Sequence, residues 1–469
     1  MSRPKLLIIV LFQNLGDQEA YFARSPAPPL SGILLAGLTP DIVDIEVLHE
    51  MVRPVDYGTD ADFVALSFMD FCAPHACDVA ARFRELGKTV VAGGKYASTF
   101  PDEVAPHVDA VVVGEAERVW PEVVRDLVAG TLRSRYEAPF APPLDGIPPP
   151  RYDLVESVYG VPVVTEATRG CPYECSFCQL TIQHAPFRTR PIEDVVADLK
   201  ATSRLPFHKR KLAMLYDNNL GGDIEYAKDL LREIAKLKLW ALGTQFSFDC
   251  LHDDEFVELL AQANCTMAFI GLESLSEPSL LSVHKKQNRV AEYRELFEKL
   301  KRYGIMTFTG LMLALDEDTP EYYRDLPEHL DEIDPSVILL SISIPIPGTP
   351  FHRKALEEGR IIDADLSHYE GDHLVIQPKH VTPEDVFEAF GRVNRTFYSG
   401  GRMLRRWARL VRSYRAEKNP FRWVFHAVVL SYVFFKLSVF QRDHAEQRVY
   451  PLGASRAFEG GTAGETGTP

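Results

Sequence analysis

Cys171, Cys175 and Cys178 fall within eight residues, in the stretch Arg169-Gly-Cys-Pro-Tyr-Glu-Cys-Ser-Phe-Cys-Gln179. The spacing is C-x3-C-x2-C, and Phe177 stands immediately before the last thiol. Three thiolates on one short loop can hold three irons of a cubane cluster and leave the fourth iron open. A structural zinc site takes four ligands with tetrahedral closure, and iron–sulfur clusters are normally closed by four cysteines. Three cysteines without an evident fourth therefore describe a site kept open for a substrate or cofactor. A zinc loop is the competing reading.

Such a loop needs a rigid element on each side. Val161–Ala167 has the composition of a strand leading into it, and residues 191–200 read as the helix that follows. Pro191 suits a first helical turn, and Val195, Val196 and Leu199 form one apolar stripe.

The 469 residues exceed one ordinary core, so two or three domains are expected. A hydrophobic content of 46% with 25% charged residues describes a soluble globular chain. The net charge of −15 argues against general nucleic-acid binding. Cys72, Cys77, Cys250 and Cys265 are scattered and follow no disulfide framework, which suits a reducing cytoplasm. The short apolar run in residues 1–10 reads as a first buried strand, with no signal-peptide cleavage site.

Residues 1–130 alternate strand-like and helix-like segments. Leu6–Phe12, Phe63–Ser67, Thr89–Ala92 and Ala110–Val113 are expected strands buried on both faces of a parallel sheet. Ala76–Leu86 is an expected helix stopped by Gly87. This alternation implies a doubly wound α/β sheet, whose ligands sit at the carboxyl ends of the strands. The candidate loops are then Ser67–Asp70, Gly93–Ser98 and Gly114–Glu117. No G-x-G-x-x-G follows the first strand, which disfavours a nicotinamide site.

Residues 131–160 are expected to be a linker crossing the surface, because the proline-rich run 138–150 sustains neither a helix nor a central strand. In 161–356 the alternation resumes, with strands expected at Val161–Ala167, Lys211–Tyr216, Leu242–Phe248, Thr266–Gly271, Met306–Ala314 and Val337–Ile344. Six strands with intervening helices make a partial (β/α)6 barrel of TIM type, with its site at the strands' carboxyl ends. Polar groups stand at those ends: Asp217-Asn218-Asn219, Ser247 and Asp249, and Glu273.

Residues 357–453 are expected to form a mostly helical extension, and 454–469 a disordered tail. Thr382-Pro-Glu-Asp385 is a capped helix start. Arg402, Arg405, Arg406, Arg409, Arg412, Arg415, Lys418 and Arg422 face only Glu417, and an apolar run reaches Phe440. That run contains Lys436 and is marginal for a spanning helix. Two readings fit it: a basic amphipathic pair lying at a membrane surface, or a helical pair packed on the barrel.

The cysteine run resembles the signature of the radical S-adenosylmethionine (SAM) superfamily at every defining position: Cys171, Cys175, Phe177 and Cys178. The resemblance implies a [4Fe-4S] cluster on the three cysteines, with SAM chelating the open iron and cleaved there to a 5′-deoxyadenosyl radical. It implies SAM contacts at Phe177, Asp217, Asn218, Asn219, Ser247 and Glu273. Gly271-Leu-Glu-Ser274 resembles the family's G-x-E-S turn. Thr309–Thr319 resembles the fifth-strand motif, with Ala314 in place of a frequent glycine, and Pro345–Pro350 resembles the turn near adenine.

Gly93-Gly94 and Gly114-Glu-Ala-Glu117 resemble the N-terminal domain of cobalamin-dependent members, in which glycines admit a flat corrin. The implied cobalamin contacts are Ser67, Gly93, Gly94, Gly114 and Glu115. The D-x-H-x-x-G sequence that would offer an axial histidine is missing, and Tyr96 stands where many relatives have histidine. A cobalamin without a protein histidine on cobalt is implied, and His75 and His107 are read as surface residues. The stretch 368–385 resembles the extension of hopanoid-methylase-like members.

The activity implied is C-methylation of an unactivated carbon through a 5′-deoxyadenosyl radical and methylcobalamin. The implied substrate is a lipid, a tetrapyrrole or a natural-product intermediate, and an external one-electron reductant of flavodoxin or ferredoxin type serves the cluster. The alternative is a non-methylating oxidative cyclase or rearrangement enzyme. No proton-transfer residue is assigned.

Overall fold

The structure is a computed structural model. It describes residues 3–12, 27–183, 185–413 and, beyond these, 424, 427–428, 431–436 and 438–439.

The first sheet contains β1 (Lys5–Val10), β2 (Asp44–His49), β3 (Phe63–Phe68), β4 (Thr89–Gly94), β5 (Ala110–Val113) and β6 (Arg135–Glu137). Its order is β2-β1-β3-β4-β5-β6, with every pair parallel. Leu6, Leu7, Ile8 and Ile9 are all buried, as a strand covered on both faces requires. The chain order reverses between β1 and β3, which places the sheet's ligand crevice at their carboxyl ends. The helix Ala73–Glu85 closes through Gly87 at φ 75°, whose N–H bonds the Arg84 carbonyl, while Lys88 N bonds that of Phe83.

Two strands of this sheet were not foreseen. β2, with the sequence Asp-Ile-Glu-Val-Leu-His, is an edge strand buried only over its second half, so its apolar signal is weak. β6 lies in the segment expected to be a linker. Proline excludes a central strand but not a three-residue edge strand ahead of the prolines, and Tyr136 is buried there. The proline-rich stretch after it does not merely cross the surface. Leu144, Ile147 and Tyr152 are buried, and the Pro149 carbonyl comes so close to Gly37 that a Cβ there would meet its oxygen at 2.7 Å.

The second sheet contains β7 (Val163–Thr165), β10 (Leu212–Leu215), β11 (Ala241–Gln245), β12 (Cys265–Glu273), β13 (Met306–Leu313) and β14 (Val337–Ile342), in the order β14-β13-β12-β11-β10-β7. All its pairs are parallel, with helices between successive strands, as in a partial barrel. A short antiparallel ribbon, β8 (Thr168–Arg169) with β9 (Arg188–Thr189), follows β7. Asp223, Asp253 and Thr319 each accept a backbone N–H at the start of a barrel helix.

The last barrel strand is closed off by the extension. Tyr398 Oη donates to the Ile338 carbonyl at 2.6 Å and accepts from Ile338 N at 3.0 Å. The helix Pro383–Phe397 before it starts with a Thr382/Asp385 capping box. The helix Gly400–Ser413 then packs on the helices Tyr293–Arg302 and Pro383–Phe397 and is ion-paired to the end of the helix Pro320–Ile333. Arg402 and Arg406 pair with Asp331 at 2.9 and 3.3 Å, and Arg409 with Asp334 at 2.5 Å. Arg406 is buried, its guanidinium 3.5 Å from the Phe397 ring centroid. Arg405 also reaches Asp331, at 3.9 Å; Arg402 and Arg406 are turned onto the barrel, while Arg405, Arg409 and Arg412 stay exposed. Arg415, Lys418, Arg422, most of the apolar run and the tail from 454 lie outside the described residues. Trp407 Nε1 donates to Ser431 Oγ at 2.8 Å and Phe434 is buried, while Val424, Val428, Tyr432 and Val439 are exposed, so the described part of that run packs along one face only. Among the described residues no helix is long and apolar enough to cross a membrane.

Candidate active site

The cysteine loop leaves β8 through Gly170, whose φ of 91° and approach to the Pro186 carbonyl (2.9 Å from a Cβ) require glycine. Ser176 fastens the loop to the barrel, its N–H bonding the Val283 carbonyl and its own carbonyl accepting from Phe351 N, both at 3.0 Å. Burial pushes all three thiols above the ordinary cysteine range, so loading the site releases protons. Asn219 Nδ2 lies 3.8 Å from Cys171 Sγ and Gln287 Nε2 lies 3.7 Å from Cys175 Sγ. Such amide contacts tune a cluster's potential. Among the described residues no three His, Cys, Asp or Glu side chains converge on one ion position. A C-x3-C-x2-C loop with amide neighbours at two of its thiols suits a cubane, in which each thiolate takes a different iron.

Around the loop stand the carboxyl ends of the barrel strands. Asp217 is fully buried, and its Oδ1 accepts from Ala167 N at 2.8 Å, Thr168 N at 2.5 Å and Thr168 Oγ1 at 2.8 Å. Burial raises its carboxyl to about 6 against those hydrogen bonds. One oxygen expected to meet SAM is thus committed to holding the start of β8, while Oδ2 has no partner. Asn219 and Ser247 bond each other through Nδ2–Oγ and N–Oδ1 contacts of 3.1 Å. Asn218 is half-buried with its carbonyl bound by Gln245 Nε2, and Phe177 packs against the barrel core.

Glu273 sits at φ 62°, a strained setting for a side-chain-bearing residue, and is buried. Its Oε1 accepts from Lys285 Nζ at 2.7 Å. Burial pushes the Lys285 ammonium down, but Glu273 and the nearby thiols push it further up, so it stays charged. Gly271 opens the cradle for this pair, since a Cβ there would meet Glu273 Oε1 at 2.1 Å and Lys285 Nζ at 2.7 Å. Tyr173 Oη donates to Asp249 Oδ2 at 2.5 Å. Asp249 Oδ1, Gln287 Oε1 and Asp217 Oδ2 are buried without partners. Buried orphan acceptors grouped around the cysteine loop fit a polar ligand with donors to offer, as the amino group of SAM would be.

The first sheet's rim fits its expected ligand less uniformly. Gly93 leaves ordinary space, with Val112 the nearest neighbour at 3.8 Å from a Cβ, and Met69 beside it at the end of β3 is exposed. A glycine that no close neighbour demands, beside an exposed apolar residue, suits a flat corrin. Ser67 is half-buried, its carbonyl accepting from Leu11 N. Gly94, at φ 100°, serves the fold: a Cβ would meet the Phe68 carbonyl at 2.5 Å. Gly114 donates its N–H to Ser98 Oγ at 3.0 Å. Glu115 was expected to touch cobalamin, but both its oxygens are taken by Arg169 and Arg188 of the β8–β9 ribbon. Tyr96 is buried with its hydroxyl on Glu103 at 2.5 Å, and His75 is bound to Glu50 at 2.7 Å.

Residues 165–330 match the model of the Radical SAM superfamily. This chain is an enzyme that carries a radical SAM domain. It is 27% identical over 406 residues to the bacteriochlorophyllide d C-12(1)-methyltransferase of Chlorobaculum tepidum, covering 84% of this chain and 86% of that one. To the same organism's C-8(2)-methyltransferase it is 28% identical over 381 residues, 75% and 81% of the two chains. Among solved structures, the radical SAM methyltransferase TsrM from Kitasatospora setae, with cobalamin and a [4Fe-4S] cluster bound, superposes with a TM-score of 0.60. That match covers 95% of this chain and 100% of TsrM at 17% identity, a likeness of fold. The resemblance to cobalamin-dependent radical SAM enzymes read from the sequence is thus met by a domain match, by relatives along most of the chain and by a shared fold.

In this radical SAM enzyme the cysteine loop lies between the two rims. Arg169 and Arg188 reach Glu115 and Glu117 after β5, and Gln179 Nε2 donates to Asp70 Oδ2 after β3. The extension joins the same place. Gly371 O accepts from Ile342 N at the end of β14, and the turn Leu366–His368 packs on Asp70–Cys72. This segment stacks His368 on His373, centroids 4.3 Å apart at 18°, with His368 Nδ1 on Asp363 at 2.7 Å and His373 Nδ1 on Glu370. Lys285, Gln287 and Tyr173 were missed in the sequence. Lys285 stands beside the exposed Lys286, and nothing local distinguishes the two.

Proposed function

We propose that this radical SAM enzyme is a cobalamin-dependent C-methyltransferase acting on a hydrophobic substrate of the tetrapyrrole or lipid class. The observation that carries the reading is the cysteine loop lying between the carboxyl rims of two parallel sheets, one with orphaned acceptors for SAM, the other with an open, apolar edge for a corrin. When bound, the cluster with SAM supplies a carbon-centred radical, and the corrin supplies a methyl group.

The chain's own residues hold these partners in line. Cys171, Cys175 and Cys178 bind the cluster, and the Asn219 and Gln287 amides set its environment. Glu273, fixed by Lys285, and the free oxygens of Asp249 and Asp217 orient SAM, with Asn218, Asn219, Ser247 and Phe177 completing its surround. Met69, Ser67 and Gly93 form the corrin edge in residues 1–130, while residues 161–356 form the radical core. The extension 357–453 brings the stacked His368–His373 pair to the place where both rims come together. An external one-electron reductant would supply the electron that the cluster passes to SAM.

Product counting tests the reading. The reconstituted enzyme is incubated anaerobically with SAM, reductant, cobalamin and candidate tetrapyrroles or lipids. Methylation yields both 5′-deoxyadenosine and S-adenosylhomocysteine. Deoxyadenosine with no S-adenosylhomocysteine favours oxidative cyclisation instead.

Peripheral membrane contact rests on a reduced basic surface. With Arg402 and the buried Arg406 engaged on the barrel, the exposed Arg405, Arg409 and Arg412 are the described cations that would meet an anionic bilayer, each worth about 1 kcal/mol. Sedimentation with anionic liposomes at low and high salt, comparing the full chain with a truncation at Gly400, tests this. Pelleting of the full chain alone, reversed by salt, supports contact, and two soluble forms refute it.

A further inference from the structure

We propose that the cysteine loop is a mechanical coupler, so that loading the cluster and binding the corrin strengthen each other. The inference rests on the cofactor assignments proposed above. Both ends of the loop are tied to the other unit. Two residues before Cys171, Arg169 donates from Nη1 to Glu115 Oε2 at 2.7 Å and from Nη2 to Glu117 Oε1 at 2.7 Å, with Glu166 alongside. Arg188, paired with Arg169 across the β8–β9 ribbon, closes on the same Glu115 carboxylate and on the Pro142 carbonyl at 2.7 Å. One residue after Cys178, Gln179 bonds Asp70.

These ties reach three strand ends of the corrin rim. Asp70 follows β3 and stands next to Met69. Glu115 follows Gly114, whose N–H is held by Ser98 Oγ, and Ser98 Oγ donates to the Gly94 carbonyl at 2.8 Å at the end of β4. On the barrel side, Asp217 grips Ala167 and Thr168, so Arg169 is held rigidly relative to the barrel. The side chains of Arg169, Arg188, Glu115, Glu117 and Glu166 are 10–21% exposed, so the contacts are weakly screened by salt.

Arg169 is anchored from the barrel side with or without the cluster. Loading therefore acts on the run Cys171–Gln179: joining its three thiols on one cluster fixes Gln179, and with it Asp70 and the β3 end of the edge that receives the corrin. Linkage makes the effect reciprocal. Glu115 and Asp70 are accordingly positioning residues, acting through Arg169 and Gln179.

Hydroxocobalamin affinity, read from absorbance, tests the coupling in cluster-free and reconstituted protein. Wild-type protein is expected to bind about tenfold tighter when reconstituted, within the usual range of coupling between sites. The Glu115→Gln, Asp70→Asn double variant is expected to show a ratio near one at unchanged iron content. A wild-type ratio of one, or a ratio preserved in the double variant, overturns the coupling alone. Failure of every form to bind hydroxocobalamin overturns the cofactor assignment as well. A measurement without variants is iron loss from the wild-type enzyme to a chelator, expected to slow about tenfold with hydroxocobalamin present, whereas equal rates contradict the proposal.

Discussion

Lys285 and Glu273 form an ion pair of 2.7 Å between two side chains that are both about nine-tenths buried, on the barrel rim beside the cysteine loop. Removing one partner of such a pair leaves a charge stranded away from water, at a cost of about 3–5 kcal/mol. Lys285→Met is therefore expected to weaken SAM binding 10- to 100-fold while iron content stays normal. The change is measured by calorimetry on reconstituted protein. Adding Glu273→Gln to Lys285→Met is expected to recover thermal stability relative to the single variant, and a further loss would contradict the pairing.

Gly271 makes that pair sterically feasible. A Cβ at this position would lie 2.1 Å from Glu273 Oε1. Gly271→Ala is expected to displace the carboxylate and lower SAM affinity at least tenfold, with the thiols still able to load iron. Unchanged SAM affinity would show that Glu273 has no part in binding.

The C-terminal helix depends on Asp331, which meets Arg402 at 2.9 Å and the buried Arg406 at 3.3 Å. Burial already lowers the Arg406 guanidinium to about 10, so its nearest counter-charge matters. Asp331→Ala is expected to loosen the helix Gly400–Ser413 at a cost of about 3 kcal/mol. Limited trypsin digestion should then cut at Arg402, Arg405 or Arg409 well before the barrel. Equal cleavage kinetics in variant and wild type would refute the docking role.

Much of this arrangement was legible in the sequence because each barrel strand is a short apolar run followed by a polar group. Cys171, Cys175, Cys178 and the strand-end residues Asn219, Ser247 and Glu273 could be placed that way. Even Ala314, marked as standing in for a glycine, proves to sit at φ 65°. What escaped was long-range. Lys285 acquires its meaning from Glu273, and Glu115 from two arginines more than fifty residues away that no local pattern announces. Glycine pairs mislead for the same reason, since a close backbone neighbour and an approaching ligand demand the same residue, and at Gly94 the neighbour is Phe68.

Asp318, after β13, gives the fold a pH dependence. It is fully buried, bonded by Ser279 Oγ, Leu315 N and Tyr323 Oη at 2.7–3.1 Å, and burial raises its carboxyl to about 7. With the folded value above the unfolded one, the protonated form is favoured by folding. Its stabilisation is complete below about pH 4 and is lost as pH rises through about 7, amounting to at most about 4 kcal/mol. Asp318→Asn cannot ionise. Its melting temperature is expected to gain on the wild type between pH 4 and 7, and parallel profiles would contradict this.

The central claim is that the three cysteines and the two facing rims make a cobalamin-dependent radical SAM methyltransferase. The most direct measurement is of the products formed from SAM bearing a deuterated methyl group, incubated anaerobically with reductant and reconstituted enzyme, with and without cobalamin. The account predicts 5′-deoxyadenosine that is lost in Cys175→Ala, and deuteromethyl-cobalamin with S-adenosylhomocysteine only when cobalamin is supplied. SAM left intact by the reconstituted enzyme, or deoxyadenosine undiminished in Cys175→Ala, would contradict it.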